Sequence, residues 1–307
     1  MQGKRKRKDV AAFSLYFMDN ILALHKELAQ KTYLHGGYQA FKISDPKPRD
    51  IHKASVRDRL VHHAICRVLY PYFDREFIFD SYSCRIGKGT HRAISRFYSF
   101  GRTISKNNTR TCWILKGDIR KFFASIDHKI LKQILANYIA DKDVLWLLVQ
   151  VIDSFCTEDK TEIGLPLGNF TSQLFVNIYL NKFDQFIKRN LKVKHYARYC
   201  DDFIIMHEDK SYLENIKPQI SEFLETELNL LLHTTKVFVK TFSSGIDFLG
   251  WINFPHYRVL RTSTRRKILK RSNRNLTFEA IASYSGLLLH GNVYGLSAKI
   301  KKLSSLA

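Results

Sequence analysis

Two adjacent carboxylates interrupt an apolar stretch of the chain, which reads Tyr196-Ala197-Arg198-Tyr199-Cys200-Asp201-Asp202-Phe203-Ile204-Ile205-Met206. Strand interiors normally exclude Asp, because burying an unpaired carboxylate is energetically costly. The stretch therefore predicts two strands joined by a tight turn, with Asp201 and Asp202 at its tip. A divalent cation bound there would offset the cost of burying both charges. Taken alone, an Asp-Asp pair is more typical of an ordinary polar turn.

A third acid, Asp118, stands earlier in the chain in a comparable setting. It lies near the end of a predicted buried strand that contains Trp113-Ile114-Leu115. The aromatic pair Phe122-Phe123 follows, and the run from Ser125 to His128 is typical of a helix start. Acids of this kind serve nucleotidyl transfer, in which two metal ions activate the attacking 3′ hydroxyl and stabilise the leaving pyrophosphate.

The chain carries a large positive charge. Its 307 residues include 50 Lys and Arg against 28 Asp and Glu, which gives a formal net charge of +22. An excess this large and this widely distributed predicts a polyanionic partner, here nucleic acid, more than a merely solvated surface. Apolar residues make up 45% of the chain, which is enough for a sizeable core.

Cysteine usage and hydropathy indicate in which cellular compartment the protein is expected. The five cysteines are odd in number and form no Cys-x-x-Cys pair, which argues against a disulfide framework and a zinc site. They suit a reducing cytoplasm. No apolar run approaches the roughly 20 residues of a membrane span, so no membrane partner is expected. The basic N-terminus does not predict a secretory signal, because Asp19, Asn20 and His25 break the apolar segment that follows it.

With Asp118 and the Tyr199-Cys200-Asp201-Asp202 turn in this order and setting, the chain resembles a reverse transcriptase. Both segments match palm motifs of that family in residue type, and the resemblance extends from about residue 40 to about residue 295. It implies an α+β fold of the right-hand polymerase type, with fingers, an antiparallel palm sheet and a short helical thumb. Residues 1–255 are expected to form fingers and palm, and residues 256–307 the basic helical thumb.

The resemblance also implies the chemistry of the site. An RNA-directed DNA polymerase copies a template RNA into cDNA from a DNA or RNA primer, using dNTPs and two Mg²⁺ ions, for which Mn²⁺ can substitute. Asp118, Asp201 and Asp202 would hold the metals together with the backbone carbonyl of Ile119. Lys236 matches the lysine suggested to protonate the leaving pyrophosphate. A lone Lys at a strand start is, however, usually exposed to solvent.

A second set of residues matches nucleotide-binding positions of the family. By resemblance, Phe123 is the steric gate whose ring clashes with a ribose 2′ hydroxyl. Taken alone, the Phe122-Phe123 pair indicates core packing. Arg49 matches the fingers arginine that contacts the triphosphate, with an ordinary surface arginine as the alternative. The positions expected to bind the nucleotide are Arg49, Ile119, Phe123, Leu167, Gly168 and Gln173.

The segment from Ile163 to Gln173 departs from the family pattern, which usually reads Gln-Gly-x-x-x-Ser-Pro. Here Leu167 replaces the Gln and Gln173 replaces the Pro. The resulting Leu-Gly-Asn-x-x-Ser-Gln resembles the reverse transcriptases of diversity-generating retroelements, which copy adenines unfaithfully. An apolar side chain cannot hydrogen-bond the incoming nucleotide, so geometric checking of the base pair loosens. The subclass implies a small basic accessory protein. Residues 169–172 are expected to cap the next helix.

Template and primer contacts are expected in fingers and palm. Residues 85–92 are basic and Gly-rich, which suits contacts with a phosphate backbone, and residues 248–251 resemble the primer grip. The alternatives are a structural ion pair of Asp58 with a neighbouring arginine, and a core hairpin at residues 248–251. The expected contact residues are Arg57, Arg59, Lys88, Arg92, Leu249, Gly250 and Trp251.

Two other functions stay open at this point. A group II intron-like or retron-like reverse transcriptase is the first, and Leu167 and Gln173 disfavour the group II intron type. The second is a non-catalytic RNA-binding or splicing protein with a polymerase fold. The three acids oppose it, together with Phe123 and Lys236, because a pure binder does not need metal-binding acids. The resemblance and the cysteine usage together predict a prokaryotic or phage-encoded cytoplasmic protein.

Overall fold

The computed structural model describes residues 6–44, 48–157, 161–272, 277–296, 298 and 300. Its helices are α1 (Lys8–Leu15), α2 (Phe17–Ala29), α3 (Val56–Glu76), α4 (Thr90–Ile104), α5 (His128–Tyr138), α6 (Lys142–Asp153), α7 (Phe170–Gln185), α8 (Lys210–Leu228), α9 (Thr262–Ser272) and α10 (Phe278–Leu288). Its strands are β1 (Gln39–Ile43), β2 (Arg49–Lys53), β3 (Trp113–Asp118), β4 (Tyr196–Tyr199), β5 (Asp202–His207), β6 (Phe238–Thr241), β7 (Ile246–Phe248), β8 (Trp251–Asn253) and β9 (Arg258–Leu260).

The central sheet has four antiparallel strands in the order β4-β5-β3-β6. Aromatic and β-branched residues, which suit a pleated surface, dominate β5. The β4 and β5 strands form a hairpin in which Tyr199 pairs with Asp202 and Cys200 and Asp201 make the turn. Cys200 adopts a φ of +57°, as tight hairpin turns require. The tight turn predicted from the sequence is therefore confirmed.

Both faces of this sheet are buried. The side chains of Phe203 and Ile205 belong to a large core with helices α3, α5, α6, α7 and α8. Ile204 and Met206 face the opposite side, where Phe97 and other residues of α4 form a second core. This alternation follows from the period of a strand, in which successive side chains point to opposite faces. Burial on both sides explains why the sequence is apolar without interruption after Asp202.

Two smaller sheets flank the central one. The β1 and β2 strands form a two-stranded antiparallel hairpin, and β7-β8-β9 form a three-stranded sheet. A third core joins Trp251 of β8 and Leu260 to α9 and α10. The sequence boundary at residues 255/256 remains a prediction. Within the described part of the chain, no helix is long and apolar enough to cross a membrane.

Apolar residues between positions 12 and 32 have helical spacing, which predicts helix, and the structure has two helices in this part of the chain. The helix is interrupted at Tyr16, where φ is −117° and ψ is 45°, so α1 and α2 are separate. Leu15, Met18 and Leu22 are exposed, and the buried side chains of the two helices are Val10 and Leu24. Helical spacing of apolar residues therefore identified the helices but not the face that packs.

Candidate active site

The three acids meet at one end of the central sheet. Asp118 is the last residue of β3 and lies directly opposite Asp202, the first residue of β5. The Ile119 N–H donates to the backbone carbonyl of Asp201 at 3.1 Å, which ties the end of β3 to the turn. Antiparallel pairing therefore brings together acids that are far apart in the sequence.

Two lysines are paired with these acids. Lys116 Nζ lies 2.8 Å from Asp202 Oδ1, and Lys236 Nζ donates to Asp118 Oδ1 at 2.8 Å. The Lys116 side chain is 8% exposed, whereas that of Lys236 is 42% exposed. Sequence reasoning assigned no role to Lys116, although a charge within the run Trp113-Ile114-Leu115-Lys116 was a usable signal. The predicted contribution of Lys236 to catalysis remains a prediction.

The site is electrostatically unfavourable for the ionised acids. Burial raises the pKa of Asp202 to about 6, Lys116 opposes this rise, and the charges of Asp118 and Asp201 add to it. Burial also raises the pKa of Asp201, with a further contribution from Asp118. Among the described residues, no donor makes a hydrogen bond of regular geometry to the buried Asp202 Oδ1. Perturbed acids of this kind mark functional sites more often than structural ones.

A buried arginine is hydrogen-bonded to the turn that carries Asp201. Arg198 and Asp184 both have side chains with 0% exposure, and Arg198 Nε and Nη2 donate to the two Asp184 carboxylate oxygens at 2.8 and 2.6 Å. Arg198 Nη1 donates to the Cys200 carbonyl at 3.0 Å. Tyr196 Oη donates to Asp184 at 2.6 Å. Sequence reasoning missed this network, and its signal was an arginine within an apolar strand.

The two candidate gate residues are distinguished by burial. Both lie in a 3-10 turn after Asp118, but Phe122 is 3% exposed whereas Phe123 is only partly buried. The Phe123 carbonyl accepts a hydrogen bond from Leu165 N–H at 2.8 Å. Phe123 therefore lies beside the segment that contains Leu167, and Phe122 is a core residue. The gate function of Phe123 remains a prediction.

The Leu167 segment contacts the β1–β2 hairpin. Leu167 is partly buried and Gly168 is exposed. Arg49, the first residue of β2, is exposed, and Gln173 is partly buried on α7. The expected capping of α7 by residues 169–172 is wrong for the side chain at the cap position. Asn169 makes no side-chain capping bond, and its Nδ2 instead donates to a backbone carbonyl of β2.

The arginines of α3 are engaged within the protein. Arg57 pairs with Glu27 of α2 and with Asp58, and Arg59 Nη2 donates to Asp9 of α1 at 2.7 Å. Asp58 is fully buried. These contacts favour the structural ion-pair alternative, because the two guanidinium groups hold the N-terminal helices against α3. Their predicted contact with template or primer remains untested.

The remaining template and primer candidates occupy different environments. Lys88 Nζ lies 3.4 Å above the centre of the Phe79 ring, and Arg92 is exposed. Leu249 and Gly250 form the β7–β8 turn, with φ values of +53° and +85°. The Trp251 side chain is 3% exposed, so its ring is a core group in this structure. Residues 248–251 therefore form a core hairpin, which is compatible with a primer grip, and the predicted primer contact of Leu249, Gly250 and Trp251 remains a prediction.

An antiparallel sheet with acids at one end and helices on both faces is the arrangement expected for the palm of a right-hand polymerase. The sequence profile described as "Reverse transcriptase (RNA-dependent DNA polymerase)" matches residues 42–253. This match covers more than half of the 307 residues. The chain therefore belongs to the reverse transcriptase family.

Individual relatives agree with this assignment. The chain is 26% identical to the protein YkfC of Escherichia coli (strain K12), a match that covers 80% of this chain and 73% of YkfC. It is 23% identical to the group II intron-encoded protein LtrA of Lactococcus lactis subsp. cremoris, with 76% of this chain and 48% of LtrA covered. The chain thus spans less than half of LtrA.

Solved structures share the fold at low sequence identity. Telomerase from Candida tropicalis, in complex with the TWJ fragment of telomeric RNA, superposes with a TM-score of 0.55 at 13% identity. The match covers 92% of this chain and 56% of the telomerase chain. The expected α+β right-hand polymerase fold with an antiparallel palm sheet is therefore confirmed.

Proposed function

We propose that this chain copies a template RNA into cDNA at the site formed by Asp118, Asp201 and Asp202. The observation that carries this proposal is the register of the central sheet, which puts Asp118 opposite Asp202 and next to the turn with Asp201. A net charge of +22 supports binding of a template RNA and a DNA or RNA primer. Membership of the reverse transcriptase family supports dNTPs as substrates.

The donor set suits a divalent cation. Among the described residues, no group of three or more His, Cys, Asp and Glu side chains is placed so that it could hold a metal ion. Mg²⁺ in phosphate-transfer sites is commonly held by one or two carboxylates plus substrate phosphates, so a partial protein set fits. Asp118, Asp201, Asp202 and the Ile119 carbonyl would hold two Mg²⁺ ions, or Mn²⁺ in their place. When bound, the ions would activate the primer 3′ hydroxyl and stabilise the pyrophosphate.

Neighbouring side chains have separate roles in this proposal. Lys116 holds the Asp202 carboxylate from the buried side, while Lys236 is exposed enough to leave Asp118 and donate a proton to pyrophosphate. Phe123 packs beneath the sugar and excludes a ribose 2′ hydroxyl. Arg49 contacts the triphosphate from the fingers. Lys88 and Arg92 contribute charge along the template.

The finer proposal is mutagenic cDNA synthesis for a diversity-generating retroelement. Its support is the Leu-Gly-Asn-x-x-Ser-Gln segment, in which Leu167 is only partly buried beside the β1–β2 hairpin. An apolar side chain there makes no hydrogen bond to the nascent pair. The same proposal includes a small basic accessory protein. It also includes a thumb that begins at residue 256 and a location in the reducing cytoplasm of a prokaryote. The five cysteines are free in this structure.

A second candidate function is that of a group II intron-like reverse transcriptase. The similarity to LtrA over 301 aligned residues favours it. The two candidates differ in the expected error pattern, because a loosened check at Leu167 predicts errors concentrated at template adenines. The replacement of the family Gln by Leu167 is the residue-level feature that distinguishes them.

Leu167→Gln tests the mutagenic proposal. One hydrogen bond regained in a desolvated site is worth about 1–3 kcal/mol, or roughly a ten- to hundredfold change in discrimination. The variant should lower misincorporation at template adenines more than at other bases, with little effect on correct insertion. The measurement is deep sequencing of cDNA made from one RNA, with any required accessory protein supplied. Leu191→Gln, a partly buried Leu outside this segment, is the matched control. A wild-type error spectrum that is flat across the four template bases favours the intron-like candidate.

A further inference from the structure

The hairpin that carries Arg49 needs support from outside itself. The β1–β2 hairpin has only two strands, and the residues of β1 are exposed except at Ile43. Two-stranded hairpins are marginally stable in water on their own. Contacts with the rest of the protein therefore decide where this hairpin, and Arg49 with it, is held.

The Leu167 segment supplies such contacts along the free side of β2. His52 N–H donates to the Leu167 carbonyl at 2.9 Å, and the His52 carbonyl accepts from Asn169 Nδ2 at 2.8 Å. Both backbone groups of one β2 residue are thus satisfied by one segment. The Asn169 side-chain amide occupies the place that a backbone N–H would have in a third strand. Asn169 is 3% exposed, so this bond is shielded from water.

The approach of the two segments depends on Gly168 between these residues. Gly168 has a φ of +105°, and a Cβ added there would lie 2.7 Å from Ile51 Cγ2. The Ile51 side chain therefore lies against Gly168. Residues two apart on a strand share a face, so Arg49 projects from the same face of β2 as Ile51. The ring of His52 packs edge-on against Phe155 at a centroid distance of 4.7 Å, which holds the opposite face.

We infer that Asn169 is a positioning residue that fixes Arg49 relative to Leu167 and Gly168. The inference rests on the proposed function, in which Arg49 contacts the triphosphate and Leu167 faces the nascent pair. Asn169 itself acts through β2: its amide holds His52, and His52 holds the strand that begins at Arg49. The fingers hairpin and the Leu167 segment then present their nucleotide-binding groups as one unit.

Asn169→Asp tests this inference with little change in size. The carboxylate cannot donate to the His52 carbonyl, and it sets a negative charge against that oxygen. The KM for dNTP should rise about tenfold, the equivalent of one buried hydrogen bond, while kcat changes less than about twofold. Asn169→Ala, which removes the donor without adding charge, should act in the same direction.

Asn181→Asp is the matched control. Asn181 is also a buried asparagine, but it lies within α7 and its Oδ1 accepts from Gln185 of the same helix. Its KM for dNTP should equal that of the wild type. An unchanged KM in both Asn169 variants, or an equal rise in the Asn181 control, would overturn the inference.

A double-mutant cycle distinguishes positioning from general damage. If Asn169 acts through Arg49, then Asn169→Asp in an Arg49→Ala background should raise KM by less than about twofold. A full further tenfold rise would show that Asn169 acts independently of Arg49 and would contradict the inference.

Hydrogen exchange in the free protein gives a readout that does not depend on catalysis. Asn169→Asp should speed amide exchange in peptides that cover residues 49–53, and Asn181→Asp should leave them at the wild-type rate. If the wild type fails to extend any primer, the proposed function fails, but this measurement still decides the docking of β2. Unchanged exchange in Asn169→Asp would refute the inference that Asn169 holds β2 in place.

Discussion

Two hairpins of this chain carry predicted nucleotide-handling groups, and they are built in opposite ways. The β4–β5 hairpin lies inside a four-stranded sheet, with Phe203 to Met206 buried on both faces and Arg198 bound beneath the turn. The β1–β2 hairpin has two strands, and Arg49 is exposed. One is held by a core and a buried ion pair, the other by two hydrogen bonds and a close contact with the Leu167 segment and by a ring contact with Phe155.

This difference matches the work proposed for each hairpin. Acids that hold cations must keep their relative positions. Burial in a closely packed core and antiparallel strand pairing limit how far these side chains can move. Groups that admit and release a nucleotide have to remain accessible, so they lie on a surface hairpin. We therefore expect substitutions in the β4–β5 hairpin of the palm to affect chemistry and folding. Substitutions in the β1–β2 hairpin of the fingers should affect nucleotide affinity and selection.

The largest expected effect is the loss of catalysis when a palm acid is neutralised. Asp118→Asn should lower primer extension by several orders of magnitude, because a cation loses a charged oxygen ligand. RNA affinity should stay within about twofold, since phosphate binding depends on the distributed positive charge. Extension rates and RNA binding are measured on the same preparation, with Asp247→Asn as the control. Wild-type extension by Asp118→Asn would remove Asp118 from the chemistry.

The next largest effect concerns folding stability. Arg198→Met leaves Asp184 buried without its cation and should lower the free energy of unfolding by about 3–5 kcal/mol. Arg49→Ala, at an exposed position, should change it by no more than about 0.5 kcal/mol. Chemical denaturation of both variants measures the contrast. The double variant Arg198→Met with Asp184→Leu should recover part of the loss, because no charge is then left buried. Equal losses at Arg198 and Arg49 would contradict the distinction between the hairpins.

Sugar selection should change by an intermediate amount. Phe123→Val removes a clash, so incorporation of NTPs relative to dNTPs should rise roughly 10- to 200-fold, the range that a small change of shape in a pocket supports. Phe122→Val should mainly lower thermal stability, because Phe122 is 3% exposed in the core. Competition between labelled NTPs and dNTPs measures the ratio. If the ratio changes only in Phe122→Val, the gate is Phe122.

The smallest effect is a pH dependence on the fingers side. Burial lowers the pKa of His62 to about 4; His35 and His63 lower it further, and Asp58 opposes them. In the unfolded chain His62 is protonated near its ordinary pKa of 6.5, whereas in the folded protein it is protonated only near pH 4. Protonation linked to His62 should therefore lower the free energy of unfolding by about 1–2 kcal/mol between pH 7 and pH 5, while the raised pKa of Asp202 acts in the opposite direction. Denaturation at both pH values isolates the His62 contribution: relative to the wild type, His62→Gln should be about 1–2 kcal/mol more stable at pH 5 than at pH 7, and exposed His25→Gln should show no such change.

The palm was predictable from the sequence because its signals are local. Acids within apolar runs identify Asp118, Asp201 and Asp202, whereas the register that sets Asp118 opposite Asp202 is known only from the pairing of β3 with β5. Lys116, which pairs with Asp202, and Arg198, which pairs with Asp184, were missed although each stands in an apolar run. Lys116 and Arg198 appeared as ordinary basic residues in a chain with 50 of them, because their partners come from other strands and helices.

The fingers were less predictable because their contacts join distant segments. Asn169 has the residue type and position of a helix cap, yet its amide bonds to His52, 117 residues away. Outside the fingers, Trp251 matches a primer-grip position, and its ring is buried with residues of α9 and α10. Local propensity cannot anticipate either outcome, since tertiary packing decides which partner a polar or aromatic side chain meets.

The acids of the palm turn are proposed to catalyse RNA-templated DNA synthesis. The direct measurement is extension of a labelled DNA primer on an RNA of defined sequence, with the product sequenced, in wild type and Asp201→Asn. We expect cDNA complementary to the RNA in the presence of Mg²⁺ or Mn²⁺, none with a chelator, and almost none from Asp201→Asn. RNA binding without extension under either cation would identify a non-catalytic RNA-binding protein with this fold, and equal extension by Asp201→Asn would contradict the proposed site.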